Sequence, residues 1–161
     1  MEKRFFPLFV ILASGLAACN AGEEPAAPAA AKQSAMDACA IVTQADASEL
    51  FGQPASPDVG HSGVSMIAQC LWTWDTDTSN HLLQFHIWDP LGYDMPDDAE
   101  PLDLGEKGFI RKDPMGGVDI EWLQNNQLIS LSYSTIGPDA PEAMDRVEQM
   151  IALARQVEDR L

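Results

Sequence analysis

The spacing of apolar and polar positions changes several times along the chain, and each change marks an element. Residues 5–16 are an almost unbroken apolar run, interrupted by Pro7, Ser14 and Gly15. Residues 21–35 lose all periodicity and are rich in Ala, with Pro25 and Pro28 among them. From Asp37 onward the pattern becomes that of a globular domain. Thr43 and Asp46 stand at capping-box spacing, and Ala47, Leu50 and Phe51 share one helical face. Gly52 and Pro54 end this short helix. A loop rich in Pro, Ser and Gly is expected over 54–63. Cys70, Trp72 and Trp74 alternate within a strand expected over 64–74. The polar run over 75–80 is a turn into a second strand over 81–88. Residues 93–103 are polar and hold Pro96 and Pro101, which predicts a loop. A short strand is expected over 107–112. Val118, Ile120 and Trp122 alternate, as do Ile129, Leu131 and Tyr133 after a Gln-Asn-Asn-Gln turn, the clearest hairpin signal. Asp139 as cap and Pro141 as first-turn proline open a terminal helix. Along it Met144, Val147, Ile151, Ala154, Val157 and Leu161 recur at helical steps. The expected fold class is α+β. It comprises a short N-terminal helix, an antiparallel sheet of four or five strands, and a long C-terminal helix packed on one face.

The first apolar run reads as an export address. Lys3 and Arg4 precede it, and it is shorter than the roughly 20 apolar residues a membrane span needs. It ends in Leu16-Ala17-Ala18-Cys19, which resembles the lipobox of bacterial lipoproteins. That resemblance implies that residues 1–18 are a lipoprotein signal peptide. It also implies that the Cys19 thiol carries a diacylglycerol and becomes the mature amino terminus. Burying acyl chains contributes about 0.8 kcal/mol per CH₂, so two or three chains anchor firmly. The other reading is a plain secreted protein in which Cys19 falls here by chance. Asn20 rather than Asp follows the Cys, which favours transport to the outer membrane of a Gram-negative cell. Residues 19–36 are then the lipidated Cys and an Ala/Pro-rich tether. Extended at about 3.1 Å per residue, the tether reaches on the order of 45 Å. Residues 37–161 are expected to be a single globular domain.

Charge narrows the partners. With 9 Lys+Arg against 25 Asp+Glu, the 161-residue chain carries a formal −16. A phosphate-tracking nucleic-acid binder needs a basic face, so that class is excluded. Loss of Glu2, Lys3 and Arg4 with the signal would leave 7 basic and 24 acidic residues, a net −17. Anionic head groups repel such a domain, so lipid on Cys19 must supply the membrane contact.

The three cysteines are an odd set. Setting Cys19 aside leaves Cys39 and Cys70, and an exported chain places them where disulfides persist. A Cys39–Cys70 bond is therefore expected. The alternative, a metal site, lacks a CxxC or a nearby His pair.

Several short stretches also resemble a family of bacterial lipoproteins without an assigned activity. They are Cys39-Ala40-Ile41-Val42-Thr43, then Gly52-Gln53-Pro54, Cys70-Leu71-Trp72, and Leu104-Gly105-Glu106-Lys107-Gly108-Phe109. The resemblance implies a lipobox, a low-complexity tether and a disulfide-stapled α+β domain. By order of elements alone it is similar to the photosystem oxygen-evolving P-subunit group, a sheet with helices on one side. It supplies no catalytic residues.

Candidate chemistry is sparse. No nucleophile elbow, HExxH, P-loop or dinucleotide fingerprint is present. His61 and Ser62 are adjacent, and adjacent side chains of an extended chain point apart. His81 and His86 are an odd number apart on one strand, so they face opposite ways and share no metal without a bulge. His86 reads as a half-buried sheet residue. Asp75, Asp77 and Ser79 resemble the start of a calcium loop, but Asn80 and His86 occupy the positions that need Gly and Glu. Asp94, Asp97, Asp98, Glu100 and Asp103 form either a solvated loop or a loose cation site.

Trp72, Trp74, Trp88 and Trp122 are dense, and aromatics on strands are mostly core. Trp88 has the opposite parity to Phe85 and Ile87, which makes it the candidate partner or ligand surface. No catalytic residue, metal site or cofactor is assigned. The expected function is a membrane-anchored envelope lipoprotein that binds a periplasmic protein or small ligand. The alternatives are a hydrolytic or other enzyme acting on an envelope substrate, and a structural or stress-related lipoprotein.

Overall fold

The computed structural model describes residues 36–58, 66–91, 93–113, 117–138 and 145–161. The signal, Cys19, the tether, the His61–Ser62 pair and the predicted cap at Asp139 and Pro141 lie outside the described residues. No described helix is long and apolar enough to cross a membrane.

The domain opens with a four-residue helix, α1 (Ala38–Ile41), whose N-cap Asp37 accepts the Cys39 amide at 3.1 Å. Next comes α2 (Gln44–Phe51), which starts at the predicted capping box. The Asp46 amide donates to Thr43 Oγ1 at 3.3 Å, and the Thr43 amide donates back to Asp46 Oδ2 at 2.8 Å. Gly52 ends α2 at φ 71°, a left-handed conformation that glycine adopts at little cost.

Among the described residues seven strands follow, where the alternation predicts four or five. They are β1 (Ser56–Asp58), β2 (Met66–Asp75), β3 (Asn80–Trp88), β4 (Glu100–Leu102), β5 (Lys107–Asp113), β6 (Gly117–Gln124) and β7 (Gln127–Ile136). The two unforeseen strands, β1 and β4, sit inside segments expected to be loops. Each is three residues long with a central proline, Pro57 or Pro101. Three residues carry no readable alternation, and proline argues against a strand except at a sheet edge. Both stand at edges, since the sheet order is β1-β2-β3-β7-β6-β5-β4. Short, proline-bearing edges resist pairing with another chain.

All pairs are antiparallel. The chain lays down β1-β2-β3, crosses to the far edge, and returns through β4, β5 and β6 to seat β7 beside β3. The β6–β7 turn uses Asn125 at φ 51° and Asn126 at φ 58°. Two successive positive φ values are what a tight two-residue hairpin needs.

One sheet face forms the core. Leu83, Phe85 and Ile87 of β3 pair across to Tyr133, Leu131 and Ile129 of β7. Ile120 and Trp122 of β6 extend the layer. Over it lie Leu50 and Phe51 of α2 and Met150, Leu153, Ala154 and Val157 of α3 (Val147–Arg160). The buried face of the terminal helix is thus rotated from the expected one: Ala154 and Val157 are buried as expected, Met150 and Leu153 join them, Val147, Ile151 and Leu161 are only partly buried, and Met144 lies outside the described residues.

Two devices fix the helices to each other and to the sheet. Arg160 donates to Asp46 through both guanidinium nitrogens, at 2.6 and 3.0 Å, and to the Ile41 carbonyl at 2.6 Å. Burial pushes the Asp46 carboxyl up, but the hydrogen bonds from Arg160 and Thr43 prevail and hold it below its ordinary value. The second device is the Cys39–Cys70 disulfide, which joins α1 to β2 with the Cα atoms 5.1 Å apart. Beside it, Trp72 Nε1 donates to the Val42 carbonyl at 3.1 Å.

Candidate functional site

The even-numbered residues of β3 decide where the other face of the sheet begins. His81, Leu83, Phe85 and Ile87 are buried, so Leu82, Gln84, His86 and Trp88 stand on the opposite side. Register carries that side across the sheet. Leu128, Ser130, Ser132, Ser134 and Ile136 of β7 share it, as do Asp119, Glu121 and Leu123 of β6. Phe109 and Arg111 of β5 complete it. Leu71 and Phe109 are buried on this side yet lie outside the core cluster that the helices complete.

The central strand presents small residues here. Ser130, Ser132 and Ser134 form the floor of a shallow trough along β7. Gln84, His86 and Trp88 make one wall, and Asp119, Glu121 and Leu123 make the other. One row runs Gln69, His86, Ser130, Glu121, Phe109 across five strands. Directly opposite residues have Cβ atoms about 5 Å apart, so His86 and Glu121 flank Ser130 on either side. Ser130 is only 6% exposed. Among the described residues, no side-chain hydrogen bond engages His86, Ser130 or Glu121.

The electrostatics of the row are uneven. Arg111 Nη2 donates to Asp119 Oδ2 at 2.9 Å, which leaves Asp119 compensated. Glu121 has no such partner. Burial and the neighbouring Asp119 charge push its carboxyl above the ordinary value, and Arg111 only partly opposes them. Burial lowers His86, which favours its neutral form. The His86 ring meets Trp88 edge-on, 5.2 Å between centroids.

The acidic segment beyond β3 reaches onto this face. Tyr93 stacks on Phe109 at 5.9 Å, with Lys107 Nζ 5.6 Å above the Tyr93 ring. Lys107 also bridges to Asp94 at 3.4 Å, and Lys112 pairs with Glu100 at 2.9 Å. The Tyr93 hydroxyl is buried without a hydrogen-bond partner. Burial first, then the Glu121 charge, raises it to about 12. The acidic residues of 93–103 are thus partly spent on lysines. Among the described residues, no group of three or more His, Cys, Asp or Glu side chains is placed to hold a metal.

The other candidate residues fall elsewhere. His81 is buried on the core face, Nδ1 lying 2.8 Å from the Tyr133 hydroxyl, with its ring stacked on Trp74 at 4.4 Å. Asp75 accepts from Asn80 Nδ2 at 2.9 Å within the β2–β3 hairpin. Trp72 and Trp122 are buried, and Trp88 is half-buried on the trough side. A hollow of about 320 Å³ opens at the far end of the trough, where Thr73, Asn80, Leu82, Ser134 and Ile136 meet. Reading only the apolar half of the β7 alternation hides the serines. Their signal is present in the sequence as Ser130-x-Ser132-x-Ser134.

The arrangement suits hydrogen bonding better than nucleophilic chemistry. A relay needs a base between nucleophile and carboxylate. Here the serine is in the middle, and no charged group contributes to the His86 shift. Against family models, curated proteins and solved structures, the chain has no match. The site therefore has to be read from its own chemistry.

Proposed function

We propose that this chain is an exported bacterial envelope lipoprotein, anchored by lipid on Cys19. Its α+β domain binds a periplasmic protein or small ligand and catalyses no reaction. The binding surface is the helix-free face of the sheet, and the membrane is the outer one. One observation carries the binding part: the Tyr93 hydroxyl, whose ring stacks on Phe109 beside Glu121, is buried without a hydrogen-bond partner at one wall of the trough, while Trp88 is half-buried at the other. Buried polar groups are nearly always hydrogen-bonded in native proteins, so such an exception calls for a missing partner. The blunt, proline-bearing edges leave the face rather than an edge as the surface for contact. Support for export comes from Leu16-Ala17-Ala18-Cys19 and from the disulfide, which suits an oxidising compartment.

Two measurements test this reading. Mass spectrometry of the native membrane fraction should find Cys19 acylated at the amino terminus; an intact, unlipidated Met1 terminus would sink the anchor. A photoreactive residue at Ser132 should give a discrete crosslinked product in the native envelope. The same probe at Gln149, on the opposite helix layer, should give none. Equal labelling from both positions would remove the face as the binding surface.

A further inference from the structure

Resting on the reading that the helix-free face binds, we propose that the β7 trough takes an uncharged oligosaccharide. Its hydroxyls would lie along Ser130, Ser132 and Ser134, and one ring would lie against Trp88.

The chemistry of floor and walls selects this class. A hydroxyl both donates and accepts, and so does nearly every group in the trough. The serines, Gln69, Gln84 and neutral His86 each offer both roles. Glu121 adds an acceptor. Tyr93, beside Glu121, adds a buried hydroxyl with no partner in the protein. A site for an ammonium group would instead gather acceptors and uncompensated carboxylates. Here Asp119 is committed to Arg111 and Asp75 accepts from Asn80, which leaves Glu121 as the uncompensated carboxylate beside the serine row. Anionic ligands meet a chain of formal charge −16. An apolar peptide side chain would leave Ser130 and Tyr93 unsatisfied, at a cost of about 1–3 kcal/mol each.

The shape agrees. From Ser130 to Ser134 the floor runs about 14 Å at strand spacing. It continues into the 320 Å³ hollow, which adds the Thr73 hydroxyl and the Asn80 amide together with the carboxylates of Asp58 and Asp75. At the other end, Trp88 supplies an aromatic face beside Leu128, its strand partner. Apolar contact at one end with convergent polar groups along the floor is the usual makeup of a small-ligand site.

The test titrates the full chain, purified in detergent with its disulfide intact, with cellotetraose and chitotetraose as probes. Tryptophan fluorescence and calorimetry are the readouts. At least one probe should bind with a dissociation constant of about 1 mM or tighter. Ser132→Val, a good strand residue at a half-exposed position, should weaken that binding by roughly fivefold or more, as loss of one hydrogen bond predicts. Ser130→Ala should act in the same direction. Gln149→Ala, on the helix layer, should change nothing.

The proposal is overturned if neither tetrasaccharide binds, or if binding survives Ser132→Val and Ser130→Ala unchanged. Should both sugars fail while Ser132 still crosslinks one envelope protein specifically, the face binds a polypeptide. In that outcome only the ligand class is lost. Failure of both experiments removes the binding face itself.

Discussion

Replacing both disulfide cysteines, Cys39→Ala with Cys70→Ala, tests how α1 is held. The bond spans 31 residues of sequence. In the chain-entropy account, closing a loop of that length lowers the unfolded-state entropy by about 12 cal/mol/K, or about 3.7 kcal/mol at 25 °C. Cys70 is 2% exposed within the core layer of β2, so alanine there also forfeits some packing. The expected loss is therefore about 4 kcal/mol. For a folded unit of roughly 125 residues, with unfolding entropy near 2 cal/mol/K per residue, that is a fall in Tm of about 15 °C. Urea melts of the oxidised protein and the variant measure the difference. Chevron kinetics then locate it. If the link acts on the unfolded chain, the variant folds more slowly while its unfolding rate changes little. A loss below about 1 kcal/mol would refute the reasoning. So would a loss carried wholly by faster unfolding, since that would place the effect in native packing.

Three further outcomes are expected. Gly105→Ala should cost about 2–5 kcal/mol, because φ is +53° and a Cβ would sit 2.2 Å from the Leu123 carbonyl oxygen and 2.6 Å from Trp122 Cδ1; a thermal melt within a degree of wild type contradicts it. Thr43→Ala should cost about 1 kcal/mol through loss of the capping box, read as a Tm drop of a few degrees, and an unchanged melt would mean that Arg160 alone holds Asp46 and the helix start. Glu121→Gln should be more stable than wild type near neutral pH. The raised folded-state value means the folded form holds its proton more tightly, so stability falls as pH rises from the ordinary glutamate range through that raised value. Below the ordinary range both states are protonated and the difference should close. A gap that is the same at acid and neutral pH would show that charge is not its cause.

Much of the domain was legible from local pattern. The capping box at Thr43, the stop at Gly52 and the Asn125-Asn126 turn are each set by a few adjacent residues whose side chains bond their own backbone or tolerate positive φ. The α+β class follows from the change of period between β7 and α3. The cysteine count needed only the assumption of export to yield the Cys39–Cys70 pair. The edge strands were hidden because β1 and β4 exist through their pairing with β2 and β5, and Pro57 and Pro101 argue locally against them.

The trough was hidden for a different reason. Alternation identifies which residues of a strand share a face, and it marked Trp88 as opposite to Phe85 and Ile87. It does not say which strands lie side by side. Ser130, His86 and Glu121 come from three strands, and only the crossover that seats β7 between β3 and β6 makes them neighbours. Burial of Ser130 between His86 and Glu121 depends on that order, whereas the pairing of Arg111 with Asp119 is local to the β5–β6 hairpin. Sequence by itself thus determined the longer elements, the strand faces and the two ends of the disulfide, because these rest on contacts within a few residues or on composition. Tertiary structure alone decided which polar side chains meet and which are left without partners, because long-range strand order sets those distances.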